Sequence, residues 1–264
     1  RMPSTYAHYR FGRQILSMLE PSDLEAVLAY PELFQIGLHG PDIFFYHHPL
    51  GSSPLKSMGQ RMHHESADHF FGPASDALSC LPDRRAGISY LYGFLCHFAL
   101  DSSCHPYVER SVRQLHIPHL ELESEFDRRL MLHDGLDPLN HFPAGHIIPS
   151  APNAGVIAAF FPDASLLQVQ KSLCSMRTCC RLLLTPHAPK RLLLQMSFAL
   201  SRNGASLRGI LISPHGNPAC IPTNLQLGRL YHKALPLAVS LIGNYRLFLK
   251  GQAQLVPYFV RSFD

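Results

Sequence analysis

Charged residues are scarce in this 264-residue chain, and they form no long runs. Only 16% of the residues are Asp, Glu, Lys or Arg, whereas 46% are hydrophobic, which is typical of a packed globular protein rather than a disordered one. The net charge of +4 suits an anionic or zwitterionic substrate but is too small to indicate nucleic-acid binding. Charge alone therefore predicts no partner.

Cysteine patterns and long apolar runs are also missing. The seven cysteines are an odd number with no CxxC pair, so neither a disulfide framework nor a thiolate zinc site is predicted. The segment ALPLAVSLIGNY (234–245) is too short to span a bilayer and contains Pro236. The first residues contain no apolar stretch typical of a signal peptide. We expect a cytoplasmic protein, although a secreted form without its signal would look the same.

The hydrophobic pattern is helical almost throughout the chain. Apolar residues recur three and four positions apart, and we find neither a βαβ alternation nor a repeat of fixed period. We predict an all-α protein, a multi-helix bundle with a metal site between its helices. The clearest predicted helices cover residues 11–19, 22–30, 57–72, 84–104 and 119–133. Pro106 is expected to end the 84–104 helix, because its ring clashes with the preceding turn.

A loop rich in Gly and Pro, residues 134–155, divides the chain into two regions. We expect a metal-binding domain over 3–146 and a helical C-terminal region over 147–264 that packs on it as one globule. Histidines support this division. Of the seventeen, fourteen lie at or before His146, and histidine is the commonest metal ligand.

The strongest chemical signal is the spacing His97-x3-Asp101-x3-His105. Residues four apart share a helix face, and the surrounding helix is very apolar. Burying imidazoles and a carboxylate there is costly unless they are paired or bind a metal. Because His105 precedes Pro106, we expect its imidazole to extend from a turn. The alternative is a buried His–Asp pair that only stabilises the core.

A second pair, His119 and Glu123, has the same four-residue spacing on a predicted helix. Solvated His–Glu pairs are common on helix surfaces, and acidic residues also favour the first turn of a helix, so these alternatives stay open.

Two further candidates come from a loop and a helix that precede these motifs. Gly40 and Pro41 form a turn that would hold the carboxylate of Asp42 in one orientation, as a metal ligand or a general base requires. A turn aspartate that bonds only its own backbone is the alternative. His63 and His64 are adjacent and point to different helix faces, and His63 lies on the more apolar one. Mixed imidazole and carboxylate ligands of this kind suit zinc, in more than one ion.

These motifs together resemble the bacterial zinc-dependent phospholipase C family, whose all-helical fold is shared with P1/S1-type nucleases. The resemblance covers about residues 3–146 and rests on TYAHYRFG, GPDIFFY, MHHESA, HFALDSSCHPY and HLELESEFD. It implies two or three zinc ions with eight ligands: His8, Asp42, His63, His97, Asp101, His105, His119 and Glu123. Asp101 would be shared by two neighbouring ions, one of which also binds Asp42, His63 and His97. His105, His119 and Glu123 would form a separate site.

The resemblance also implies an activity. We expect hydrolysis of a phosphodiester, phospholipase C-like, by metal-activated water with Asp42 as general base. The partner would be a phospholipid or another phosphodiester, with possible transient contact to a membrane surface. Phe44, Phe45 and Tyr46 are candidates for lining a headgroup or acyl pocket, and ordinary core packing is the alternative for at least one of them.

Two features depart from the family. Secreted members use an N-terminal tryptophan as a zinc ligand, and this chain has no tryptophan. The interval between Asp101 and the next histidine is also shorter than in those enzymes. Two other readings therefore stay open: a nuclease or nucleotidase on the same scaffold, and a non-catalytic helical metal-binding protein.

Overall fold

The computed structural model describes residues 4–200, 207 and 209–264. The regular structure of these residues is helical, with no β-strand among them, so the predicted all-α fold is confirmed. The helices are α1 (Thr5–Leu16), α2 (Pro21–Ala29), α3 (Pro31–Gly37), α4 (Pro54–His64), α5 (Asp68–Ser79), α6 (Arg84–Leu115), α7 (His119–His133), α8 (Ala151–Ala158), α9 (Leu166–Leu183), α10 (Ala188–Ala199) and α11 (Ile221–Leu249). Short 3₁₀ helices cover Gly40–Tyr46, Pro218–Cys220 and Pro257–Val260.

Helix α6 forms the centre of the molecule and is longer than predicted. It begins after Asp83, whose carboxylate accepts the N–H of Arg85, and ends before His116. The prediction that Pro106 ends this helix is wrong, because the helix runs through it to Leu115. The hydroxyls of Ser102 and Ser103 donate to carbonyl oxygens one turn earlier, a pattern that lets a helix bend rather than break. His105 therefore lies inside the helix and not on a turn.

Helix α3 crosses α6 at two glycines. A Cβ atom at Gly93 would collide with the carbonyl oxygen of Phe34, and one at Gly37 would collide with that of Tyr90. The two backbones can approach this closely only because neither residue has a side chain. The crossing fixes the chain that leaves α3 directly above the middle of α6, where His97 lies.

The predicted helix 57–72 is two helices, α4 and α5. Glu65 is extended, and the N–H of Ala67 donates to the carbonyl oxygen of Arg261 across 2.9 Å. This backbone contact with the C-terminal segment divides the helices, and a local hydrophobic pattern does not reveal it.

The C-terminal region shares its hydrophobic core with the histidine-rich region. Helix α11 packs along α6, and Phe259 and Phe263 are buried in the same core as Phe94 and Phe98. The Phe263 ring lies 5.0 Å from that of Phe98 and 5.9 Å from the imidazole of His97, measured between centroids. None of the helices in the described residues has the length and apolar character needed to span a membrane.

Candidate metal centre

Asp42 lies on the 3₁₀ helix that follows α3, and its position depends on Gly40. The φ angle of Gly40 is +46°, and a Cβ atom there would collide with the imidazole of His97. Glycine therefore allows this turn to lie directly against α6. Asp42 is 2% exposed, so the turn delivers a carboxylate into the interior.

His8 is positioned by the first turn of α1. The carboxylate of Asp127 on α7 accepts the N–H groups of Tyr6, at 2.9 Å, and Ala7, at 2.8 Å. These N–H groups have no partner inside the helix, and a buried carboxylate satisfies them. Burial raises the pKa of Asp127 to about 6 despite these hydrogen bonds. The anchored turn places the His8 imidazole beside α6.

Four of the predicted ligands converge in one buried group. Atoms of His8, Asp42, His97 and Asp101 lie within 4.8 Å of one another. Asp101 is central: its Oδ1 lies 3.1 Å from His8 Nε2, and its Oδ2 lies 3.1 Å from His97 Nε2. The His63 imidazole borders this group, with Nε2 at 2.9 Å from Asp42 Oδ1 and 4.0 Å from Asp101 Oδ2.

His64 points away from this group, as the helix pattern indicates. Its side chain is 69% exposed, whereas that of His63 is 2% exposed. The two adjacent histidines therefore differ completely in their access to the buried carboxylates.

His105, His119 and Glu123 form a second group. Glu123 Oε1 lies 2.9 Å from His119 Nε2 and 3.5 Å from His105 Nε2. His105 Nε2 is also 3.7 Å from Asp101 Oδ2, so Asp101 and His105 link the two groups along one face of α6. A cavity of about 30 Å³ between them is lined by His8, Asp101, His105 and Glu123.

The imidazoles share one orientation. In His63, His97, His105 and His119 the Nδ1 atom donates to an oxygen outside the groups, and Nε2 faces inward. The acceptors are the carbonyl oxygens of Gly59 and Leu38 and the carboxylates of Asp264 and Glu109, at 2.7 to 3.3 Å. Metal-binding histidines typically have such an outer partner, which fixes the tautomer and directs the free nitrogen to the ion. The donor set and its orientation fit zinc.

The charges of the two groups are strongly coupled. Burial raises the pKa of the Asp101 carboxyl, but the imidazoles of His105, His97 and His8 lower it by more, so it lies well below its ordinary value. Burial lowers the pKa of His105, and the carboxylates of Asp101, Asp264 and Glu123 raise it well above its ordinary value. The pKa values of His8 and His63 are raised in the same way. Without a metal, protons would thus hold these carboxylates and imidazoles together.

Comparison with known proteins agrees with this geometry. A family model described as zinc dependent phospholipase C matches residues 7–146, which is more than half of the chain and contains all eight predicted ligands. The chain belongs to the zinc-dependent phospholipase C family. No curated protein and no solved structure is significantly similar to it. Membership supports a zinc-dependent, phosphodiesterase-like hydrolase, and the groups described above are its candidate metal centre.

Sequence reasoning missed Asp264, which lies outside the part of the chain matched by the zinc-dependent phospholipase C model. Its Oδ1 lies 2.7 Å from His105 Nδ1, and its Oδ2 lies 2.9 Å from His64 Nδ1. The backbone N–H of Asp264 also donates to the carbonyl oxygen of His63, at 3.2 Å. One signal pointed to it, since Asp264 is the only Asp or Glu after Asp163.

A pair of imidazoles, with His39 buried and His146 partly exposed, was also missed. The Nε2 atoms of His39 and His146 lie 2.7 Å apart, and the His146 ring stacks on Tyr9. Burial lowers the pKa of His146 to about 3 and lowers that of His39 as well, so both rings stay neutral. The pair supports the loop before Asp42, and the position of His39 next to Gly40 was the only signal for it.

The three aromatic candidates differ in their surroundings. Phe44 is fully buried, with its centroid 4.8 Å from that of Phe161, and Phe45 stacks on His63 at 5.2 Å. Tyr46 alone borders a cavity of about 90 Å³, which extends to Glu123 and is otherwise lined mostly by apolar side chains. Phe44 and Phe45 thus pack against the core and the centre.

Proposed function

We propose that this member of the zinc-dependent phospholipase C family hydrolyses a phosphodiester bond of a phospholipid. The observation that carries the proposal is the common orientation of four imidazoles, three of them buried and that of His119 partly exposed, each with Nδ1 held by an outer oxygen and Nε2 directed at Asp42, Asp101 or Glu123. Outer hydrogen-bond partners of this kind are typical of metal-binding histidines, which supports a site for cations.

We assign the eight residues to two groups of zinc ligands. His8, Asp42, His63, His97 and Asp101 form one, and His105, His119 and Glu123 form the other. Zinc, when bound, would make water acidic enough to attack at neutral pH and would offset charge on the phosphoryl oxygens. The shared carboxylate of Asp101 would hold neighbouring cations close together.

We propose Asp42 as the general base. The Gly40–Pro41 turn preorganises its carboxylate. One carboxylate oxygen lies within hydrogen-bond distance of His63 Nε2, whereas the other lies farther from His97 Nε2. In the reaction it would take a proton from the attacking water as the water oxygen bonds to phosphorus. The bond from phosphorus to the leaving oxygen would then break, and that oxygen would leave as the alcohol by taking up the proton held by Asp42 or one from solvent. The cavity that reaches Glu123 would receive the lipid, with Tyr46 and the surrounding apolar side chains around it.

The test is a substrate panel with zinc-loaded protein. Phospholipids, nucleotides and single-stranded DNA are compared by release of phosphate or phosphomonoester, and metal content is measured on the same sample. We expect release of a phosphorylated headgroup from phospholipid. Asp42→Asn should lower turnover by about 10² to 10⁴-fold while most of the metal is retained.

Other outcomes contradict the proposal in distinct ways. Hydrolysis of DNA or nucleotides without phospholipid turnover would identify a nuclease or nucleotidase. Stoichiometric zinc with no turnover of any substrate would identify a metal-binding protein without this activity. Full activity of Asp42→Asn would exclude Asp42 as the base.

A further inference from the structure

Acidic residues are nearly absent from the last hundred residues. Residues 164–263 contain twelve Lys or Arg and no Asp or Glu, whereas residues 1–163 contain eleven Lys or Arg and eighteen Asp or Glu. The net charge of +4 therefore conceals a strongly positive C-terminal region. A surface that carries cationic side chains without carboxylates between them attracts anionic surfaces.

Helix α10 adds an exposed apolar stripe within this region. None of its residues is buried. Leu192 is 59% exposed, Met196 59% and Leu200, just after the helix, 90%, and the four-residue spacing aligns them on one face beside Leu193. An apolar helix face normally packs against a core. Here it faces outward.

A groove beside α10 is lined by cationic side chains. This open groove of about 580 Å³ is lined by Arg177, Arg181 and Lys190 together with Leu182, and none of the described residues brings a carboxylate to it. The guanidinium of Arg177 is fixed by the carbonyl oxygens of residues 144 and 145, and that of Arg181 lies 4.9 Å from the Phe142 ring centroid. The charges are therefore held at the groove without a neutralising partner among its lining residues.

The chain on both sides of α10 also borders the apolar cavity near the candidate metal centre. Leu183 and Leu184 before the helix, and Ile210 and Ile212 after it, line the cavity that extends to Glu123. The helix that carries the exposed stripe is thus connected at both ends to segments that line that cavity.

We propose that this face docks on an anionic lipid bilayer. The α10 surface, which we define as Leu192, Leu193, Met196, Leu200, Arg177, Arg181 and Lys190, would place its apolar side chains at the boundary between headgroups and acyl chains. Its cations would meet lipid phosphates, as in amphipathic helices that lie in a membrane interface. Nucleic-acid sites combine cations with stacking aromatic rings, whereas the exposed stripe consists of leucine and methionine.

The inference deepens the proposed function by naming the surface at which the lipid is met, and docking is measured without turnover. The 264-residue chain is sedimented with vesicles of phosphatidylcholine alone, or of an equal mixture with phosphatidylglycerol, at low and high salt. The Asp42→Asn protein is measured in parallel, so that hydrolysis does not alter the lipid. We expect the mixed vesicles to bind about tenfold more tightly or better, and salt to weaken the binding.

Matched variants separate the two parts of the surface. Leu192→Ser combined with Met196→Ser, and Arg181→Glu combined with Lys190→Glu, should each weaken binding to mixed vesicles by about tenfold or more. The controls are Leu28→Ser, an exposed leucine on α2, and Arg110→Glu, an exposed arginine on α6, which should bind like the parent protein.

Three outcomes would overturn the inference: equal binding to both vesicle types, variants of the α10 surface that bind like the controls, or a dimer that Leu192→Ser dissociates. Hydrolysis of a soluble bis-aryl phosphodiester is measured on the variants of the α10 surface and on the two controls, all with Asp42 intact, and should be unchanged. Vesicle binding without any hydrolysis would leave docking intact and reject the proposed function. Hydrolysis of the soluble phosphodiester without vesicle binding would reject docking and leave the proposed hydrolytic function intact.

Discussion

Asp101 is the residue on which the proposed centre depends most. Its two oxygens face His8 on one side and His97 on the other, and His105 approaches within 3.7 Å. Asparagine has nearly the same shape but no negative charge, so it could not offset two neighbouring dications. We expect Asp101→Asn to lose more zinc, measured by elemental analysis, than any variant of a ligand from one group alone.

His64→Ala is the control for Asp101→Asn. The imidazole of His64 is adjacent in sequence to a proposed ligand but is 69% exposed, and the carboxylate of Asp264 keeps its contact with His105 when His64 is removed. Zinc content and hydrolysis should stay near the parent values. If Asp101→Asn keeps its zinc while His64→Ala loses it, the ligand assignment is wrong.

Asp264 acts through another residue in our proposal, because it touches His105 Nδ1 and leaves Nε2 for the metal. Removing an outer partner of a metal-binding histidine typically costs about 10 to 100-fold in metal affinity. We expect Asp264→Ala to weaken zinc binding within this range, measured by competition with a chelator, and Asp264→Asn, which still accepts a hydrogen bond, to restore part of it. Equal losses in both variants, accompanied by an equal loss of folding stability, would indicate a purely structural role.

At the scale of helices, local patterns predicted which side chains share a helix face better than they predicted the helix boundaries. The four-residue spacings of His97 with Asp101 and of His119 with Glu123 predicted shared faces, and both pairs lie in contact. The same patterns failed at Pro106, because packing on both sides of α6 outweighs the cost of one proline in the helix. The local patterns also failed at residues 65–67, because the break between α4 and α5 depends on a backbone contact with a segment that is distant in sequence.

The crossing of α3 and α6 offers a test at this scale. Gly93→Ala should lower the free energy of unfolding by about 1 to 3 kcal/mol, because the added methyl group would collide with the backbone of Phe34. Displacement of α3 would also move the turn that carries Asp42, so zinc affinity should fall. The free energy of unfolding is measured by denaturant unfolding, and the zinc affinity is measured by competition with a chelator.

Gly72→Ala provides the matched control for this crossing. Gly72 lies inside α5, and a Cβ atom there would meet nothing within 4 Å. Alanine at this position should be neutral or stabilising by about 0.5 to 1 kcal/mol, since glycine weakens helix interiors. Equal destabilisation by both substitutions would show that the close approach of α3 and α6 is not critical.

Across the whole molecule, the long-range contacts of the centre were beyond sequence reasoning. The candidate ligands on α6 and α7 were predicted from spacing, Asp42 and His63 from the preceding turn and the apolar helix face, and His8 from the family resemblance alone. The contribution of Asp264 depends on the chain returning to α6 after more than a hundred residues, and no local pattern encodes that return. The pairing of His39 with His146 has the same origin, since 107 positions separate them.

The charge coupling of the centre predicts how pH affects the metal-free protein. The pKa values of His8, His63 and His105 are raised above the ordinary value of 6.5 by buried carboxylates, so the folded protein holds protons that the unfolded chain has released. Stability from a raised pKa is fully present below the unfolded value and is lost as pH rises through the folded one. His39 and His146, whose pKa values are lowered, act in the opposite direction only until the unfolded imidazoles have lost their protons, at about pH 7.5. The chelated protein should therefore lose stability in urea as the pH rises from about 6.5 to 8.5.

Zinc takes the place of these protons, so the loaded protein should lose less stability over the same pH range. The difference between the loaded and the chelated protein should shrink in Asp101→Asn. A chelated protein whose stability is constant or rises across this range would show that the buried imidazoles are not held protonated by the carboxylates.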